Sequence, residues 1–258
     1  MTAKTIAVLG AGIMGRGIAY AAAVGGFRTI LQDVESAMLE KAVGEISATL
    51  EKGVALGKVD GAQAAAAHKC LSTTRELAEA ARAADLVIEA VPEKMALKVE
   101  ISGSLDRIAP RHALLASNTS SLSITEMAAA TGRAPQVLGM HFFNPVPRMK
   151  LLEVVRESPG FVTSRINAMI GNEAFYMLQE GVASARDIDK ALKLGLNHPM
   201  GPFELVDLVG LDTRLAILKY LHRTLGEKYR PCPLIEQYVA AGRLGRKTGR
   251  GVYQYEKL

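Results

Sequence analysis

Over roughly the first 155 residues, short apolar and β-branched runs alternate with stretches whose apolar positions recur at helical spacing. The pattern predicts strands over 5–9, 29–33, 69–73, 85–91, 113–117, 137–142 and 151–155. Strands separated by helices are the signature of an α/β fold with a parallel sheet. Gly25-Gly26 closes the first helix, where a residue of positive φ is needed. Ser123 followed by Glu126 has the spacing of a capping box and opens another. After Pro159-Gly160 the period changes. Ile166, Met169, Ile170, Ala174, Met177 and Leu178 recur as one helical face, and further helices are predicted over 184–194, 202–208, 213–225 and 234–241. The chain therefore divides into residues 1–158, a doubly wound α/β sheet, and residues 159–258, an all-helical domain, with the boundary near 158–161.

Composition narrows the class. No apolar run approaches the ~18 residues of a membrane span, and the apolar start leads straight into a glycine motif, so it reads as a strand rather than a signal peptide. Cys70 and Cys232 form neither a disulfide framework nor a metal pattern. A reducing, cytoplasmic setting is the expectation. The net charge of +5 raises the question of nucleic acid. However, the basic residues are scattered among acids, apart from Arg243, Arg246, Lys247 and Arg250, and the chain has no tryptophan. A phosphate-bearing small molecule fits that field better, and no nucleic-acid or membrane partner is expected.

The candidate chemistry begins at Gly10-Ala-Gly12-Ile13-Met14-Gly15. The pattern G-x-G-x-x-G is weak alone but specific between a strand and a helix. Gly10 serves the tight turn, Gly12 the approach of a pyrophosphate, and Gly15 the packing of helix on strand. The helix N-terminus offers amide donors to phosphate. Asp33, at the end of the second strand, is placed to accept from ribose hydroxyls, and no arginine follows it, which favours NAD over NADP.

Two further segments end strands at the carboxyl edge of the sheet, where ligands of open α/β folds bind. The first is Ser117-Asn118-Thr119-Ser120-Ser121, a polar run suited to cofactor and substrate oxygens and equally to an ordinary strand-to-helix turn. The second holds His141. Twelve residues on, Glu153 interrupts the apolar run 151–155, and a carboxylate there needs a partner. His141 and Glu153 are either a catalytic dyad or two unrelated core residues; spacing alone leaves both open. His68, His112, His198 and His222 lack ligand spacing, so no metal is expected.

In this order, Gly10–Gly15, Ile88-Glu-Ala-Val-Pro-Glu93, the 117–121 run, His141-Phe-Phe-Asn144-Pro145, Lys150-Leu-Leu-Glu153, His198-Pro-Met-Gly-Pro202 and Leu244-Gly-Arg-Lys247-Thr-Gly249 resemble the 3-hydroxyacyl-CoA dehydrogenase family in its short bacterial, 3-hydroxybutyryl-CoA form. The resemblance implies a Rossmann-type NAD domain followed by a helical substrate and dimerisation domain. It implies oxidation of (S)-3-hydroxyacyl-CoA to 3-oxoacyl-CoA in fatty-acid or butanoate metabolism, by β-oxidation or its reverse. By the same match His141 is the general base, Glu153 orients it, Ser120 bonds the reacting oxygen and Asn144 lies beside the substrate. Glu93, Lys98, Asn118 and Lys247, with Ile13 and Met14 of the glycine turn, fall at cofactor positions. Thr49 falls at a coenzyme A position; Lys52 and Lys58 are phosphate partners or a solvated helix face.

Two departures stand out. Ser164 replaces the family's asparagine before Arg165. A helix and a strand that the family carries between its Leu-Leu-Glu-Val-Val strand and its Pro-Gly-Phe turn are missing, leaving only Arg156, Glu157 and Ser158. So short a link admits no further parallel strand. The sheet is then expected to end at 151–155, exposing an edge, and the chain to pass directly into a helix near Thr163. The alternative function is an NAD-binding homologue whose catalysis is impaired by that loss.

Overall fold

All five residues of β1, Thr5–Leu9, are buried, as an apolar strand covered on both faces should be. The computed structural model describes residues 3–156 and 160–256. The chain divides into two compact units, Met1–Ser158 and Pro159–Leu258. The predicted boundary over 158–161 falls partly outside the described residues.

In the first unit β1 pairs with β2 (Arg28–Gln32) and β4 (Leu86–Glu89), and the full order is β3-β2-β1-β4-β5-β6-β7. The remaining strands are β3 (Leu71–Thr74), β5 (Leu114–Ser117), β6 (Val137–Phe142) and β7 (Leu152–Val155). Helices α1 (Ile13–Val24), α2 (Ser36–Ala55), α3 (Gly61–Cys70), α4 (Leu77–Arg82), α5 (Met95–Ile108) and α6 (Ile124–Ala129) lie between them. This is the Rossmann-type architecture. The chain reverses strand order at β1, which leaves a crevice above the carboxyl ends of β1 and β4.

Three details differ from the sequence expectations. Asp33 lies one residue beyond β2, in the turn toward α2. Residue 69 belongs to a helix, because Asp60 caps α3 by accepting from Gln63 N at 2.7 Å and the helix then runs to Cys70. The last strand is antiparallel to its neighbour. The reason is the link over 143–151, which contains turns but no helix and cannot make the crossover that a parallel return needs. At the sheet's far side β7 is the edge, and its Val154 is 60% exposed.

The second unit holds α7 (Thr163–Gln179), α8 (Ala185–Gly195), α9 (Pro202–Val209), α10 (Leu211–Leu225) and α11 (Pro233–Ala240). Its core includes Phe175, Phe203, Leu218 and Ile235, with Phe175 and Phe203 edge-to-face at 5.2 Å. Buried Asp207 fastens the tail, accepting from Val252 N, Tyr253 N and the Tyr255 hydroxyl. That carboxylate raises the Tyr255 phenol to about 12, after burial as the larger cause.

At the amino ends of β1 and β4, Asp85 accepts from Lys4 N at 2.8 Å and Thr5 N at 2.9 Å, and pairs with His112 Nε2 at 2.9 Å. These bonds, the backbone pair first, hold its carboxyl at about 2. A carboxyl acidified by folding stabilises the fold above its unfolded value and loses that contribution as pH falls through the folded one. Asp85→Asn should therefore have a lower Tm than wild type at neutral pH. The gap should close between about pH 4 and pH 2, measured by thermal unfolding. A pH-independent gap would contradict this assignment.

Candidate active site

The turn from β1 into α1 is built by three glycines with three different constraints. Gly10 has φ +93°, and a Cβ there would meet Ala90 O at 2.9 Å. A Cβ on Gly15 would lie 1.7 Å from Gly10 O, so helix and turn are in direct backbone contact. A Cβ on Gly12 would meet nothing within 4 Å. Gly12 is also the N-cap of α1, with no capping side chain and no acidic residue in the first turn. Open space above an uncapped helix N-terminus is what a phosphate group requires. This end of α1 borders a cavity of about 750 Å³ whose walls include Gly10, Ile13, Met14, Asp33, Leu77 and Pro92. Asp33 is oriented there by Ala11 N at 2.7 Å and Glu35 N at 3.1 Å. The residues present fit a dinucleotide.

A buried polar network ties the ends of β4 and β5 to the start of α5. Glu89, the last residue of β4, accepts from Val91 N at 2.9 Å, Ser117 Oγ at 2.7 Å and Lys98 Nζ at 2.5 Å. Lys98 also pairs with Glu93 at 3.2 Å. Glu93 in turn accepts from the Thr119 hydroxyl and from Ser120 N. The Lys98 side chain is 1% exposed and that of Glu93 41%, so Glu93 is the face that this ion pair presents. Burying such a cation without a partner would cost several kcal/mol. Asn118 donates its N–H to Glu89 O, and its side-chain oxygen accepts from Phe142 N at 2.8 Å, joining this network to the end of β6.

His141 stands on β6 directly opposite Glu153 on β7. Their side chains meet with Nδ1 to Oε2 at 2.7 Å, both largely buried, and Phe143 packs against the imidazole at 4.4 Å between centroids. An ionised carboxylate can only accept, so Nδ1 carries the proton and the basic lone pair belongs to Nε2. Asn144 and Thr49 line one depression with the Arg16–Glu45 ion pair. Lys52 lies in the adjoining groove with Thr49 and Arg148. Lys58 lies past the end of α2, not on the helical arm expected from sequence, because that helix stops at Ala55. In the second unit Ser164 is in the first turn of α7, and Lys247 pairs with Asp212 at 2.6 Å. Among the described residues no cluster of potential ligands could hold a metal ion, and no helix is long and apolar enough to cross a membrane.

The sequence profile of the 3-hydroxyacyl-CoA dehydrogenase NAD-binding domain matches residues 5–162, and that of the family's C-terminal domain matches residues 160–255. The chain belongs to the 3-hydroxyacyl-CoA dehydrogenase family. It is 45% identical over 285 aligned positions to a Bacillus subtilis protein named "Probable 3-hydroxybutyryl-CoA dehydrogenase", with 100% of this chain and 99% of that protein covered. To 3-hydroxybutyryl-CoA dehydrogenase of Clostridioides difficile it is 41% identical, covering 98% and 99%. The crystal structure of (S)-3-hydroxybutyryl-CoA dehydrogenase from Ralstonia eutropha superposes with a TM-score of 0.94 at 42% identity, covering 99% of this chain and 100% of that one. The 285 aligned positions exceed the chain's 258 residues, so the alignment opens gaps in this chain. That agrees with its short link after β7. NAD is the cofactor of this dehydrogenase fold.

Sequence reasoning gave Glu89 no role of its own, although it carries a signal like that of Glu153, a carboxylate in an apolar strand. The glycine geometry separates two effects that a single motif would merge. Gly12→Ala should leave Tm of the cofactor-free protein little changed and weaken NADH binding at least about tenfold. Gly15→Ala should lower that Tm by several degrees, the overpacking costing about 1–3 kcal/mol. Thermal unfolding and NADH fluorescence titration check both, and a Gly12→Ala protein with wild-type NADH affinity would contradict the phosphate cradle.

Proposed function

We propose that the chain catalyses the reversible, NAD-dependent oxidation of a short-chain (S)-3-hydroxyacyl-CoA, foremost 3-hydroxybutyryl-CoA, to the 3-oxoacyl-CoA. The observation that carries the reading is the His141–Glu153 pair, 2.7 Å apart beside the strand ends that border the dinucleotide crevice. In oxidation the His141 Nε2 accepts the proton of the 3-hydroxyl, and in reduction the imidazolium returns it. Glu153 holds the ring by its Nδ1–H and compensates its positive charge. Ser120 bonds the reacting oxygen, and Asn144 lines the substrate pocket. NAD supplies the hydride acceptor. Glycines 10, 12 and 15 with the amides of Ile13 and Met14 hold its pyrophosphate, and Asp33 its adenosine ribose. By family resemblance Asn118, Glu93 and Lys247 also serve NAD. Thr49 and Lys52, on one helix beside the Asn144 depression, serve coenzyme A.

The helical unit acts as a homodimer interface, and the enzyme works in the cytoplasm in fatty-acid metabolism. Family resemblance supports the first. The free thiols Cys70 and Cys232 support the second.

Oxidation of NADH dependent on acetoacetyl-CoA tests the activity. NADH binding without turnover would leave a cofactor-binding homologue and overturn it. His141→Gln should lower kcat by about 10²–10⁴-fold while leaving NADH affinity near wild type. Glu153→Gln should retain more activity than His141→Gln, since the base itself remains. Wild-type rates in both would remove the dyad. Asp33→Ala should raise the NADH Kd about tenfold and narrow the preference over NADPH. Unchanged discrimination in parallel titrations of the two cofactors would exclude the ribose contact.

A further inference from the structure

Lys98 Nζ lies within reach of three acceptors inside the protein. They are Glu89 Oε1 at 2.5 Å, Glu93 Oε2 at 3.2 Å and Val91 O at 3.4 Å. Its side chain is 1% exposed, and its charge lies between one buried carboxylate and one that is 41% exposed. Glu89 is the anchor of this arrangement. Its second oxygen accepts from Ser117, and its main-chain oxygen accepts from Asn118 N. One residue therefore grips both ends of the loop's approach. Ser117 and Asn118 are held directly, while Thr119 and Ser120 are held through Lys98 and Glu93. Through the Asn118 side chain the same anchor reaches Phe142 N, the residue next to His141.

We propose that Glu89 is a positioning residue of this enzyme: it holds Lys98 as an internal cation, so that Glu93, the 117–120 loop and the end of β6 are set before cofactor and substrate arrive. The inference rests on the dehydrogenase reading above. A buried ion pair whose purpose was stability alone could be exchanged for neutral side chains without loss of function. One that sets reacting groups could not, since small misplacements of reacting atoms cost large factors in rate.

The test uses the full chain with Glu89→Gln, Lys98→Met and the double variant. For each, Tm, NADH Kd by fluorescence, and kcat with acetoacetyl-CoA at saturating NADH are measured. Each single variant should lower kcat roughly tenfold and raise the NADH Kd at least about threefold. The double variant should be no slower than the slower single, because both changes break one link. Its Tm should recover toward wild type, because no charge is left buried and unpaired, while kcat should not recover.

Recovery of both Tm and kcat in the double variant would overturn the proposal in favour of a purely structural pair. So would losses that multiply, or a Glu89→Gln protein within twofold of wild type in kcat and Kd. If the single variants do not fold, the double variant decides by its kcat. If that also fails to fold, Ser117→Ala decides. It removes one hydrogen bond to Glu89 and no charge, and it should lower kcat at least about threefold; wild-type turnover would overturn the proposal. Should wild type itself fail to turn over acetoacetyl-CoA, the functional reading falls, and the NADH affinities of the same variants still decide whether Glu89 sets the cofactor site.

Discussion

His141 and Glu153 are brought together by a strand register. The chain leaves β6, turns back through 143–151 and returns antiparallel, which sets Glu153 opposite His141 and points both side chains to one face. Strand side chains alternate faces, so a slip of one residue would carry Glu153 to the other side of the sheet and leave the imidazole without its carboxylate. The His141–Glu153 pair is thus a property of the β6–β7 ladder. The remaining groups of the site lie at the carboxyl ends of β1, β4, β5 and β6, where parallel strands leave their loops on one edge.

Those loops are fixed by polar contacts that would be costly to leave unmade. The glycine turn is held by backbone touching backbone, which is why Gly10 and Gly15 tolerate no side chain while Gly12 is left open. The 117–121 loop is held by charge. Glu89, Lys98 and Glu93 form a chain of ion pairs from the buried end of β4 outward to Thr119 and Ser120. Asn118 then bridges this chain to β6. The 117–121 loop and the strand that carries His141 are therefore one connected unit.

Much of this was legible in the chain. The glycine motif between a strand and a helix predicts the crevice, and Gly10 and Gly15 leave no room for a side chain while Gly12 stands open. Glu153 was legible because a carboxylate in an apolar strand must find a partner, and His141 was the economical one. The direction of β7 was not legible, because an apolar run carries no sign of whether it pairs parallel or antiparallel. Only the helix-free link over 143–151 decides that. The link between Glu89 and Lys98 was not legible for a related reason. One closes a strand and the other sits on the following helix, so no periodicity links them, and only the folded crevice brings their charges within 2.5 Å. Lys58 shows the converse error. A lysine extrapolated along a helix was misplaced because α2 ends three residues earlier, at Ala55.

The claim on which the account turns is that the Nδ1–H of His141 is bonded to the Glu153 carboxylate in the resting protein. Proton NMR of the imidazole N–H, with ¹⁵N-labelled histidine, observes that bond directly. A strongly downfield Nδ1–H resonance is expected in the wild-type protein, absent from His141→Gln and returned toward the ordinary imidazole position in Glu153→Gln. A His141 Nδ1–H resonance that is not displaced in wild type, or one that Glu153→Gln leaves unmoved, would contradict the pairing and with it the catalytic site proposed for this chain.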